Sequence, residues 1–396
     1  MKVGVVLSAS AKSGGAHRYE VSVLRILERA QQLDFVAFIP KTIARDYERL
    51  FPNLSMVPYS FNKLTLLGLW MRSSFFGFAL LRFLRLQHSG FERSAIDQDC
   101  FLLYFLSPNP VALGIVDLPI VTTVWDLGHR KIPVYPEISG SQHFKEREHY
   151  FATVLPKSVR VVVDSALTRE DVINYYLIDR NKVIVGGMPL ELSAEEISRV
   201  ARITVSAITE SPYIIYPAHF WPHKRHILLL NAFAKVLLKY PALKLVLTGG
   251  DKGNISRVRR HILDLRIGDR VILAGFLEYE QVLALVRDAE LLVFPSDLGP
   301  TNLPPLEAMY FGTPCVISNV HDQVIYNSPL ASIVPEQTVD CWYDYILQVL
   351  NAKATGSQGD LTSPENVLTE ALLNELSEIQ ATADEWSSSG YRRIDD

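Results

Sequence analysis

The chain has 396 residues, 48% hydrophobic and 21% charged, which excludes a disordered or fibrous class and suits two packed domains better than one core. A net charge of −4 argues against a nucleic-acid partner. The three cysteines, Cys100, Cys315 and Cys341, form no close pair, so a disulfide framework or CxxC metal site is excluded and a reducing compartment is favoured.

The opening residues, MKVGVVLSAS, read as a strand and are expected not to be a signal peptide. Short β-branched runs then alternate with helical patterns. Strands are predicted at 3–8, 35–40, 101–107, 119–125, 159–164 and 182–186, and again at 213–217, 244–249, 270–275, 291–295 and 314–318. Helical periodicity falls at 17–33, 142–155, 166–176, 224–240, 278–288 and 338–352. Continuous apolar strands separated by helices imply parallel sheets covered on both faces. The expected fold is therefore α/β, with two doubly wound Rossmann-like domains and the cleft between them as the default site. The expected boundaries are 1–200, 201–350, and a loop and C-terminal helix at 351–396 able to cross back to the N-terminal domain. No stretch of about 20 residues lacks charge, so no membrane-spanning helix is expected.

The first strand ends at a paired glycine, Gly14-Gly15, which opens a helix. Paired glycines let backbone approach a ligand and the helix terminus favours an anion, although a plain strand–helix turn has the same pattern. It is not GxGxxG, so a dinucleotide site is poorly supported. Residues 61–91, FNKLTLLGLWMRSSFFGFALLRFLRLQHSGF, are dense in Leu, Phe and Trp, and every charge is basic: Lys63, Arg72, Arg82 and Arg85. This segment, Trp70 included, is either an interfacial helix facing an anionic membrane or a core helix with arginines reaching outward. Asp97-Gln98-Asp99 has the look of a DxD metal motif, yet it precedes a strand and is assigned to the surface; no metal site is expected.

At 124–133, VWDLGHRKIP, the group Asp126, His129 and Arg130 follows a strand end, where such residues bind hydroxyls or stabilise charge in a transition state. The second half opens with YIIYPAHFWPHKRH, which crowds His219, Lys224 and Arg225 at a strand–helix junction suited to a diphosphate. The alternative there is a solvated basic turn, with His226 as a surface residue. Finally, the apolar strand ELLVFPS runs into GPTNLPPLEAMYFGTP at 299–314, a loop and short helix carrying Glu307.

In this order, the Gly-Gly loop, a Val-x-Asp-Leu strand end at 124–127, VDSALTRED at 163–171, PAHFWPHK at 217–224, LTGGDKG at 247–253, AGFL at 274–277 and FPS…LPPLEAMYFGTP at 294–314 resemble a retaining glycosyltransferase of the GT-B fold, in the broad group around family 4. The resemblance implies transfer of a hexosyl unit from a nucleotide-diphosphate sugar to a saccharide or lipid-linked acceptor, with retention and without a metal or other cofactor. It places such a protein in cell-surface polysaccharide or glycolipid assembly, in the cytoplasm and able to sit on the inner membrane face. By the same resemblance Lys224 is the diphosphate-binding lysine, His219 stands where many members have arginine, and Glu307 is the ribose-binding second glutamate of Glu-x7-Glu. Gly14, Gly15, Gly275, Phe276, Leu277, Thr301, Asn302 and Leu303 complete the donor site. Two positions depart from the pattern. Gly299 replaces the first glutamate, and Trp125 replaces a histidine; Asp126, His129 and Asn302 are the expected substitutes, with Asp126, His129 and Lys224 assigned to catalysis. The departures also allow a non-catalytic sugar-nucleotide-binding partner subunit, and the fold allows a nucleotide-sugar epimerase.

Overall fold

The computed structural model describes residues 2–10, 14–30, 33–60, 63–84, 89–204, 211–354, 373–374, 376–379 and 381. The chain forms two compact units: Met1–Leu127, Ser141–Glu191 and Asn366–Asp396 make the first, and Gly128–Gly140 with Leu192–Glu365 make the second.

The first unit holds strands β1 (Lys2–Val6), β2 (Phe35–Pro40), β3 (Met56–Tyr59), β4 (Cys100–Phe105), β5 (Ile120–Val124), β6 (Arg160–Val163) and β7 (Val183–Val185). They form one parallel sheet in the order β3-β2-β1-β4-β5-β6-β7. All six residues of β4 are buried, as a central strand covered on both faces requires. The alternating side chains of the sheet divide between two cores: Val36, Phe38, Leu103 and Phe105 on one face, Val5, Ala37, Leu102 and Tyr104 on the other. Leu376 is buried in the second of these, with Leu373 and Ile379 packed against it.

The second unit holds β8 (Tyr213–Pro217), β9 (Lys244–Thr248), β10 (Val271–Gly275), β11 (Leu291–Phe294), β12 (Cys315–Ser318) and β13 (Ala331–Val334). Its sheet is also parallel, in the order β10-β9-β8-β11-β12-β13. Strand order reverses between β1 and β4 in one unit and between β8 and β11 in the other. Such reversals open a crevice beyond the strand ends, the usual ligand position in a doubly wound sheet.

Both sheets are the expected α/β arrangement. Two strands lie outside the predicted set, β3 and β13. Both are edge strands of four residues, and Pro58 in β3 masks the pattern because proline is tolerated only at an edge. Residues 63–83 form two helices, Lys63–Arg72 and Phe75–Phe83. Ser74 caps the second by accepting the Gly77 N–H at 3.2 Å.

Candidate active site

The densest set of predicted residues gathers where β8 and β11 part. After β8 the chain stays alongside the segment that follows β9: Ala218 N–H donates to Thr248 O at 2.9 Å and Phe220 N–H to Gly250 O at 3.0 Å, and Phe220 forms a parallel bridge with Asp251. Gly249 permits this approach, since at φ +138° a Cβ would stand 2.3 Å from Ala218 O. His219 Nδ1 accepts the Gly250 N–H at 2.9 Å, which puts the ring proton on Nε2. Burial, then Lys252 and Lys224, lower the pKa of this ring, so it serves as a neutral donor where an arginine would be a cation. Its ring lies parallel to that of Phe276, with centroids 6.2 Å apart.

A 3-10 turn at Pro222–Lys224 then sets the lysine. Tyr216 OH donates to Lys224 O at 2.7 Å, fixing the turn from below. Lys224 Nζ lies 4.9 Å from the centre of the Phe294 ring and donates to Ser296 Oγ at 3.1 Å and to Asn302 Oδ1 at 3.3 Å. His226, expected at the surface, is buried instead. Its ring sits 4.6 Å from that of Phe220 and 4.8 Å from that of Tyr216, and burial lowers its pKa to about 3.

The loop after β11 carries Gly299 to Asn302 into the helix Leu303–Tyr310. Asn302 is its N-cap residue, with Tyr326 OH receiving its N–H at 2.8 Å. Pro304 and Pro305 have no N–H, so of the four donors a helix start normally offers, Leu303 is the one left to a ligand. Thr301 is buried. Glu307 is also buried, and its Oε1 accepts from Tyr279 OH at 2.7 Å. Asp297, near the place of the missing glutamate, is engaged elsewhere: Tyr135 OH donates to it and Arg225 Nη1 lies 3.4 Å away.

The segment 128–140 belongs to this unit although it follows β5 in the sequence. Glu137 Oε1 accepts the His223 N–H at 3.0 Å and lies 2.9 Å from His223 Nδ1. The Asp126–His129–Arg130 group is therefore divided: His129 is buried in the second unit and Arg130 is exposed there, while Asp126 stays in the first. Asp126 accepts from Arg147 Nη2 at 2.8 Å.

In the first unit, Gly14 precedes the helix Gly15–Arg29 with φ 62°. From that helix Glu20 reaches back, fully buried, beneath the ends of β1 and β4. Its carboxylate accepts Ser8 N–H at 3.0 Å, Ala9 N–H at 3.1 Å, Ser107 OH at 2.9 Å and Tyr47 OH at 2.5 Å. Burial raises its pKa against the pull of these donors. Above it opens a cavity of about 480 Å³ walled by Ser8, Ser107, Pro108, Trp125, Asp126 and Arg147. Trp125 packs edge-on against Tyr19, 5.7 Å between centroids. Sequence reasoning missed Glu20, Tyr279, Ser296 and His321, because each joins its site through a partner between 12 and 87 residues away.

Among the remaining predicted residues, Phe276 is exposed beside Gly275 and Leu277 at the end of β10. Trp70 and Arg72 lie on the helix Lys63–Arg72 and Arg82 on the next; Arg85 lies outside the described residues. The Asp97-Gln98-Asp99 tripeptide precedes β4, at the opposite end of that strand from Ser107.

Residues 201–356 match the profile of the family described as Glycosyl transferases group 1. The chain is 24% identical over 206 residues to the D-inositol 3-phosphate glycosyltransferase of Mycolicibacterium smegmatis, covering 50% of this chain and 46% of that protein. It is 29% identical over 195 residues to an uncharacterized glycosyltransferase of Methanocaldococcus jannaschii, covering 47% and 48%. The chain thus spans about half the length of the curated relatives it matches. Its fold is similar to that of Anabaena HepE, solved with UDP and glucose, with a TM-score of 0.66 and 15% identity over 96% of this chain and 100% of that one. The fold is GT-B, and residues 201–356 are similar to the group 1 glycosyltransferases.

Proposed function

We propose that the protein is a retaining, metal-independent hexosyltransferase that moves a sugar from a nucleotide diphosphate to a saccharide or lipid-linked acceptor, in cell-surface polysaccharide or glycolipid assembly. The observation that carries this reading is the placement of Lys224 with Ser296 and Asn302 at the β8/β11 reversal, inside the segment that matches the family profile. An ammonium, a neutral His219 Nε2–H donor and the Leu303 N–H suit a departing diphosphate, whose charge grows as the glycosidic bond breaks. Glu307, held by Tyr279, suits the ribose hydroxyls. The Gly275–Leu277 turn suits the base through its backbone. UDP is the first candidate because HepE is solved with it.

Residues 1–200 serve the acceptor in this reading and 201–350 the donor. The 480 Å³ cavity beside Trp125 has the size of a sugar-sized site. Its Asp126–Arg147 pair offers both a hydroxyl acceptor and a donor without net charge. The acceptor hydroxyl attacks from the face the diphosphate leaves and gives its proton to a departing phosphate oxygen. Asp126 and His129 are assigned to orienting that hydroxyl, Gly14 and Gly15 to close backbone approach to the donor.

The test is a thermal-shift screen with UDP-, GDP-, dTDP- and ADP-sugars, since binding to the native state raises its stability. One of these raises the melting temperature of the wild type. Lys224→Ala and Glu307→Ala each lower turnover at least about tenfold, or roughly 1.4 kcal/mol of transition-state stabilisation. Near-wild-type kinetics in both variants would remove the donor assignment. Binding without transfer to any acceptor would favour the partner-subunit reading prompted by Gly299 and Trp125.

The protein acts at an anionic membrane surface on the cytoplasmic side. Along the helix Phe75–Phe83 and the residue after it, Phe76, Leu80, Phe83 and Leu84 follow i, i+4, i+7, i+8 spacing and are all exposed, Phe76 by 85% and Phe83 by 84%. Leu69 and Leu81 of the same segment are buried, so core packing accounts for one face and leaves the other. Each exposed Phe forgoes about 1.5–3 kcal/mol of burial, which a lipid interface recovers. Residues 61–91 contain no acidic side chain to oppose anionic lipid. Sedimentation with phosphatidylglycerol vesicles at low salt is expected for the wild type. It is expected to be lost in a variant with Arg72, Arg82 and Arg85 changed to Glu; equal sedimentation of both would end this reading.

A further inference from the structure

Asn302 stands between Lys224 and a histidine that lies outside the motif. His321 follows β12 and is 1% exposed. Its Nδ1 lies 2.9 Å from Ser318 O, an atom that only accepts, so Nδ1 carries the proton. Burial lowers the ring's pKa to about 4, so the imidazole is neutral at pH 7 and Nε2 is an acceptor. The atom facing Nε2, at 3.2 Å, must then be the amide nitrogen of Asn302. That nitrogen also donates to Gly299 O at 2.7 Å. The amide oxygen is left facing Lys224 Nζ at 3.3 Å. The relay runs one way: Lys224 to Asn302, Asn302 to His321, His321 to the Ser318 carbonyl.

Gly299 makes the space for it. At φ +95° a Cβ there would stand 2.7 Å from Asn302 Nδ2 and 3.1 Å from its Oδ1. A glutamate at 299, as in the common pattern, would displace the amide. Gly299 and Asn302 are thus a matched pair.

We infer that His321 is the positioning residue for Lys224: acting through Asn302, it holds the ammonium at the β11 end. The inference rests on the donor-site reading above. Loss of this charge-assisted hydrogen bond is expected to weaken diphosphate binding about tenfold or more.

The experiment is calorimetric titration of the full chain with UDP and UMP, or with the diphosphate and monophosphate of whichever base the screen selects. His321→Phe and Asn302→Ala each raise the Kd for the diphosphate about tenfold and leave that for the monophosphate within about twofold. His321→Gln, whose amide oxygen can accept in place of Nε2, recovers affinity to within about threefold. Lys224→Ala combined with His321→Phe binds no more weakly than Lys224→Ala alone, because His321 acts only through the lysine. Additive losses in the double variant, equal losses for both nucleotides, or unchanged affinity in His321→Phe and Asn302→Ala would overturn the inference. Should His321→Phe lack a melting transition, Asn302→Ala at its half-buried position carries the same cycle with Lys224→Ala. Wild-type affinity in Lys224→Ala itself would instead remove the donor reading.

Discussion

The two strand-order reversals occupy equivalent places in two similar sheets and carry opposite charge. At β1/β4 the buried group is a carboxylate, Glu20, and four donors from the protein itself satisfy it. At β8/β11 the half-buried group is an ammonium, Lys224, which donates to two neutral oxygens, Ser296 Oγ and Asn302 Oδ1. A charge enclosed by its own fold ties elements together. An ammonium that donates to neutral acceptors keeps more of its field for a ligand of opposite sign than one neutralised by a carboxylate. The same topology has thus been made a structural knot in one unit and a candidate anion site in the other.

The comparison breaks most sharply at Glu20. Glu20→Ala strands two backbone N–H groups and two hydroxyls, and at about 1–3 kcal/mol for each unsatisfied buried group the loss of stability is expected to reach about 3 kcal/mol or more. Chemical denaturation measures it, and a loss below about 1 kcal/mol would mean that water replaces the carboxylate. Diphosphate affinity of the folded fraction should be unchanged.

Next in size is a pH effect from the second unit. Burial holds His321 near a pKa of about 4 and His226 near about 3, against about 6.5 for an unfolded histidine. Between these values the unfolded chain binds more protons than the native one, so stability rises with pH. It is complete above about pH 6.5 and is lost as pH falls toward 4, by on the order of 3 kcal/mol for His321. Denaturation midpoints at pH 7 and pH 5 check this, and His321→Gln should flatten the slope; an equal slope in that variant would deny the histidine its role. The smallest expected stability change belongs to Lys224→Ala, under about 1 kcal/mol, because the lysine is only half-buried. A larger loss would make Lys224 a structural knot like Glu20 and dissolve the contrast.

Much of the fold was legible because buried parallel strands are continuous apolar runs, and eleven such runs from VGVV to CVIS fall within the strands observed. The edge strands β3 and β13 were not, being short and interrupted by proline or polar residues. The loop 299–314 was legible because glycine, prolines and a carboxylate mark it locally. Its working partners were not: His321 reaches Asn302 across 19 residues and Tyr279 reaches Glu307 across 28. The boundary between the two units, which falls after Leu127 and so between Asp126 and His129, carries no mark in the sequence.

By itself the sequence determined the α/β class, the two sheets and the positions of Lys224, Asn302 and Glu307 at strand ends, since hydrophobic periodicity and turn residues act over a few neighbouring positions. Only the tertiary structure decided which charges are consumed. Whether Glu20, Asp126 or Asp297 is enclosed, and whether the Asn302 amide turns its oxygen to Lys224, depends on groups that folding brings together from distant segments, where low dielectric makes each remaining hydrogen-bond partner count.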